Sequence, residues 1–127
     1  MPLPDRRIHE RLALSDSHPY RLRITPFAEG TKPDGKIGWG LTSYGYDMRL
    51  RPEFLEFVGG GAVIDPHTFQ RDLDSLITEG RIRRVTGNTL VLPPGGFALA
   101  ESLEEYRIPE DCLAIVMTKS TYARCGV

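Results

Sequence analysis

The sequence predicts an all-β domain, a distorted antiparallel barrel or jelly roll carrying a short N-terminal helix. Three observations lead there. Apolar residues recur with period two in short runs, those runs are separated by glycine and proline turns, and a chain of 127 residues with 40% apolar composition has material for one core rather than two. Residues 1–127 are therefore read as a single domain. There is no internal repeat or low-complexity tract.

Residues 5–14 predict a short helix, with Asp5 as N-cap and Ile8 and Leu12 stacked at i, i+4 on one face. Between residues 15 and 40, Pro19, Pro26, Pro33 and several glycines break any long element, leaving one short strand at residues 20–24. From Tyr44 the period is two: Tyr44, Tyr46, Met48 and Leu50 face one way, Gly45, Asp47 and Arg49 the other. Apolar material continues through residues 54–58, Gly59-Gly60-Gly61 supplies a turn, and residues 62–64 resume as a strand stopped by Asp65-Pro66. Further strands are expected at residues 82–85, 89–92, 97–100 and 113–118. Thr86-Gly87-Asn88 and Pro93-Pro94-Gly95-Gly96 carry the residue types that tight turns require.

Sixteen basic against seventeen acidic residues give a net charge of -1, which argues against binding nucleic acid or an anionic membrane through bulk electrostatics. Any anion site must be local. No run approaches the ~18 apolar residues of a membrane span, and the start lacks the apolar segment of a signal peptide, so a cytoplasmic location is expected. Cys112 and Cys125 form no Cys-x-x-Cys pair and are read as reduced and structural. His9, His18 and His67 lack the His-x-Glu and Pro-Cys-x-x-Cys pattern of zinc-dependent base deaminases. No metal ligand set, zinc in particular, is expected from the chain.

The segment richest in chemistry is Lys119-Ser120-Thr121-Tyr122-Ala123-Arg124-Cys125-Gly126, following the apolar run 113–118. Lysine and arginine supply charge, two hydroxyls donate hydrogen bonds, and backbone N–H groups at a turn or helix start add a fixed positive field, so a polyphosphate fits there. A polar turn after a strand is also what solvated surface looks like. The residues alone leave both readings open.

The run from Leu92 through Val127 resembles dCTP deaminases, in which a Pro-Gly turn and an Ala-x-x-x-Glu-like strand precede [Arg/Lys]-Ser-[Ser/Thr]-x-Ala-Arg-x-Gly. Thr42-Ser43-Tyr44-Gly45-Tyr46-Asp47-Met48-Arg49-Leu50 resembles that family's Ser-Tyr-Gly-Tyr-Asp-Leu-Arg-Leu strand, itself related to the Ala-Gly-x-Asp-Leu motif of trimeric dUTPases. Leu3-Pro4-Asp5-Arg6-Arg7-Ile8 resembles its Leu-x-Asp-x-x-Ile helix opening.

The resemblance implies a dUTPase-like barrel or jelly roll, a homotrimer with active sites shared between subunits, and hydrolytic deamination of dCTP to dUTP and ammonia in dUMP and dTTP biosynthesis. A bifunctional relative that also releases pyrophosphate to give dUMP remains an alternative, as does a silent nucleotide-binding module. Substrate binding falls on Lys119, Ser120, Thr121, Tyr122, Ala123 and Arg124. Ser120 is expected near the reacting base, and Arg124 helps to organise the catalytic centre. Mg2+ would accompany the triphosphate, held by phosphate oxygens and water. Asp47 matches an aspartate that lies near the phosphates in dUTPases, while strand alternation equally allows an ion pair with Arg49.

In the family, the general acid/base is a glutamate in a Trp-x-Gly-x-x-x-Leu-Glu type motif beyond the Ala-Arg-x-Gly turn. It is expected beyond Val127, which makes 1–127 the N-terminal portion of the domain with the C-terminal catalytic strands missing. Expressed alone, such a portion is expected to show open edges and apolar surface that favour association. Glu101, Glu104 and Glu105 read as a solvated connection, and Glu53, Glu56, Asp65, Asp72, Asp74 and Glu79 lack a base-like context. Arg81, Arg83 and Arg84 read as a strand's polar face, Trp39, Tyr44 and Tyr46 as core aromatics, and His67 as a turn residue.

Overall fold

A computed structural model describes residues 1–58 and 64–126. Among them every strand pairing is antiparallel, in open sheets of two, two and three strands, so the mainly-β class is as the sequence predicts. The chain divides into two compact units, Met1–Arg49 with Leu103–Val127, and Leu50–Ser102.

In the first unit, α1 (Asp5–Leu12) turns Ile8 into a small core with Leu22 and Ile24, ringed by Leu3, Leu12, Phe27, Leu41, Tyr46 and Tyr106. Burying each such aliphatic contributes roughly 1.5–3 kcal/mol relative to exposure. The helix opens one residue earlier than expected. Pro4 is the N-cap, its carbonyl accepting from the Ile8 N–H at 3.0 Å, while Asp5 sits in the first turn. There its carboxylate still favours the positive end of the helix.

β1 (Arg23–Thr25) pairs with β7 (Glu105–Arg107), placing Ile24 opposite Tyr106. β2 (Gly40–Thr42) and β3 (Gly45–Asp47) form a hairpin in which Gly40 faces Asp47 and Leu41 faces Tyr46. The period-two run stops at Asp47 rather than continuing to Leu50. Arg49 leaves that ladder because its N–H donates to Glu104 Oε2 at 2.9 Å and its carbonyl accepts from Leu103 N–H at 2.8 Å.

In the second unit, β4 (Leu50–Phe57) is central, flanked by β5 (Ile82–Thr86) and β6 (Phe97–Ser102). The Phe57 ring lies 5.0 Å from that of Phe97 and 6.3 Å from that of Phe69. Phe69 opens α2 (Phe69–Thr78), a helix absent from the sequence reading. Its apolar residues Phe69, Leu73, Leu76 and Ile77 fall at i, i+4, i+7 and i+8 on one partly buried face. The chain leaves it through paired bonds, Gly80 N–H to Ile77 and Arg81 N–H to Leu76.

Two expected strands do not form. Residues 89–92 run into Pro93-Pro94 with no strand pairing among the described residues, and Val91 is 79% exposed. Residues 113–118 carry no strand pairing among the described residues, and Leu113, Ile115, Val116 and Met117 are 74–86% exposed. A strand is defined by a ladder partner, and an apolar run without one is left extended. The expected turn at residues 59–61, and positions 62 and 63 of the strand expected at 62–64, lie outside the described residues. Ile64 is not in a strand.

Candidate functional site

The Lys119-to-Arg124 segment is a single helical turn, α3 (Ser120–Arg124), entered from an extended Lys119. The Lys119 carbonyl accepts from Ala123 N–H at 3.0 Å, so the amides of Ser120, Thr121 and Tyr122 precede the first intrahelical bond. Ser120, Thr121, Ala123 and Arg124 are exposed, and Tyr122 is 41% exposed. Hydroxyls, amides and a guanidinium are thus gathered within one turn. Neither of two surface hollows in this unit, one along Leu22, Ile24 and Phe27 and the other between His18 and Ile108, is lined by α3.

Lys119 is anchored. Its Nζ lies 2.5 Å from Asp47 Oδ2, which also accepts the Trp39 N–H at 3.1 Å. Asp47 therefore pairs with Lys119 rather than with Arg49, correcting the partner that strand alternation allowed. Alternation places residues on a face of one strand and says nothing of a cation arriving from 72 residues away.

Arg49 instead binds Glu104, Nε to Oε1 at 2.6 Å, with the guanidinium 5.2 Å from the centre of the Trp39 ring. The Glu104 side chain is 0% exposed, so the expected solvated connection is wrong at this residue. Desolvation is offset by donors from Arg49 Nε, Arg49 N–H and the Tyr106 hydroxyl at 3.4 Å. Burial and then the nearby carboxylate push the Tyr106 phenol well above its ordinary range. Burial raises that of Tyr46 as well, whose hydroxyl accepts the Ala28 N–H at 2.9 Å. Tyr46 packs between Phe27 and Tyr106, as expected of a core aromatic, whereas Tyr44 is 70% exposed.

The other carboxylates are engaged in framework contacts or exposed. Glu101 lies within β6 and Glu105 within β7, both exposed. Glu56 is buried against Arg83 at 2.6 Å, and Asp72 is held below its ordinary range by a hydrogen bond from Arg71. Asp111 takes a two-pronged bond from Arg11, both contacts 2.7 Å, which lowers its pKa in the same way. Burial raises the Cys112 thiol; Cys112 and Cys125 are both free, and Cys125 is exposed rather than part of the structural interior the sequence reading gave it. His67 sits in a turn, its N–H on Asp65 Oδ1 at 2.9 Å. Among the described residues no three His, Cys, Asp or Glu side chains gather as a metal-ligand set, and no helix is long and apolar enough to cross a membrane.

The sequence profile of the dCTP deaminase-like family matches residues 3–127. The chain belongs to that family. The dCTP deaminase of Erythrobacter litoralis is 49% identical over 108 residues, covering 84% of this chain and 54% of that protein. Those of Sulfurovum and Acidiphilium cryptum are 41% and 42% identical over 98% of this chain, covering 59% and 61% of theirs. The chain thus spans a little over half the length of these relatives.

Sequence reasoning missed Gly38, and read Trp39 as a core aromatic and Glu104 as solvated rather than as residues around the motifs. The one available signal was the Ala-x-x-x-Glu spacing from Ala100 to Glu104, within the segment that carries the resemblance.

Proposed function

We propose that this chain carries the triphosphate-binding part of a dCTP deaminase, an enzyme that hydrolyses dCTP to dUTP and ammonia and so feeds dUMP and dTTP biosynthesis. The observation that carries the reading is the intact Lys-Ser-Thr-Tyr-Ala-Arg sequence on one exposed helical turn, in a chain of this family. Lys119 and Arg124 supply cationic donors and the Ser120 and Thr121 hydroxyls neutral ones. Together with the backbone N–H groups of Ser120, Thr121 and Tyr122, which precede the first intrahelical bond, they form a donor-rich cradle for phosphate oxygens, closed by Ala123.

In this reading Ser120 lies beside the reacting cytosine and Arg124 organises the catalytic centre. The general acid/base is a glutamate beyond Val127, which takes a proton from the attacking water and returns it toward the departing ammonia. Magnesium bound with the triphosphate would neutralise phosphate charge, held by phosphate oxygens and water rather than by side chains of this chain, in keeping with the reluctance of this ion to shed its hydration shell. Because α3 lies on open surface within its unit, further walls of the site come from elsewhere, which favours a homotrimer with shared sites. The setting is cytoplasmic.

The test is Ser120→Ala and Arg124→Ala in the full-length protein, assayed with dCTP and magnesium. Each is expected to lower kcat/KM by about 10²–10³, the usual cost of deleting one positioned donor. Activity within about twofold of wild type in both variants would remove the turn from the site.

A further inference from the structure

Among the described contacts, one joins the candidate site to a residue outside its turn. Lys119 Nζ meets Asp47 Oδ2 at 2.5 Å, and the same oxygen accepts the Trp39 N–H at 3.1 Å. Asp47 is largely buried, its side chain 19% exposed, whereas Lys119 keeps 39% of its own. Gly38 completes the arrangement. A Cβ built there would lie 2.5 Å from Asp47 Oδ2 and 2.7 Å from Lys119 Nζ, so a side chain at residue 38 would displace the pair from its present geometry.

Resting on the reading of α3 as a triphosphate site, we propose that Asp47 is a positioning residue for nucleotide binding: it fixes the Lys119 ammonium at the head of α3. An ammonium has three donors. One is spent on Asp47, leaving two for phosphate oxygens from a side chain that would otherwise lose its rotamer freedom on binding. The negative charge of Asp47 opposes phosphate binding, but the Trp39 amide and the ammonium both bear on the carboxylate oxygen and offset it.

The experiment is a double-mutant cycle on dCTP kinetics of the full-length protein, with Asp47→Asn and Lys119→Ala singly and together. The asparagine oxygen still accepts from Trp39, which keeps the hairpin in place. Asp47→Asn is expected to raise KM for dCTP about three- to tenfold, the range that ordering one long side chain represents. kcat should stay within about twofold. In the Lys119→Ala background, where no ammonium offsets the carboxylate, the same substitution should no longer raise KM, because Asp47 favours binding only through Lys119. Gly38→Ala, which displaces the pair without touching either charge, should reproduce the KM rise and decides the matter should Asp47→Asn fail to fold. An unchanged or lowered KM in Asp47→Asn, with Lys119→Ala still raising it, overturns the positioning role and leaves the site intact. An equal effect of Asp47→Asn with and without Lys119 marks it as merely structural and overturns the proposal too. No effect of Lys119→Ala removes the site along with the proposal.

Discussion

Removing Arg49 should cost more stability than removing the charge of its partner Glu104. The two form a nearly buried pair, but unequally, with side-chain exposures of 30% for Arg49 and 0% for Glu104. Arg49→Met leaves a fully buried carboxylate without the Arg49 guanidinium, the residue 49 N–H and the Tyr106 hydroxyl being among the donors that remain. Breaking a buried pair in this way costs about 3–5 kcal/mol, and the surviving donors place it near the lower end. Glu104→Gln leaves a guanidinium that keeps solvent contact and the Trp39 ring 5.2 Å away, and retains an acceptor oxygen, so about 1–2 kcal/mol is expected. Urea unfolding of the full-length protein measures both. A Glu104→Gln cost equal to or above that of Arg49→Met, or an Arg49→Met cost below about 1 kcal/mol, would refute the reasoning.

Two other substitutions test the frame. The Tyr106 phenol is held protonated by burial, so the folded state binds that proton more tightly than the unfolded one. Its stabilising contribution is fully present below the unfolded value of about 10 and is lost as pH rises from there through the higher folded value. Tyr106→Phe should flatten the alkaline fall in melting temperature, and an unchanged profile would assign that fall elsewhere. Gly40 has φ +52°, and a Cβ there would stand 2.0 Å from the Ala28 carbonyl oxygen, which accepts the Leu41 N–H at 2.9 Å. Gly40→Ala should therefore cost more than the roughly 1 kcal/mol of a strained backbone alone, read as a lowered urea midpoint, while a wild-type midpoint would contradict the geometry.

The parts legible in the sequence were those specified locally. Ile8 and Leu12 announced α1 by their spacing, Ile82 and Val85 announced β5, and Gly95-Gly96 announced a turn closed by Gly96 N–H on the Pro93 carbonyl. The spacing that makes α2 is present in Phe69, Leu73, Leu76 and Ile77, though no element is assigned to these residues from the sequence. What could not be read locally was pairing. Residues 113–118 have the composition of a strand, yet no ladder partner for them lies among the described residues. Glu104 sits in a charged run that reads as solvated, and only the fold brings Arg49 to it from 55 residues away. The candidate site divides the same way. Its turn was legible as a motif, whereas the Asp47 anchor and the space left by Gly38 are properties of the tertiary structure.

The central claim, that the Lys119-to-Arg124 turn serves dCTP deamination, is tested most directly by incubating the full-length protein with dCTP under saturating magnesium and separating the products. Formation of dUTP with one ammonia per nucleotide is the expected result. Recovery of unreacted dCTP alone would contradict it.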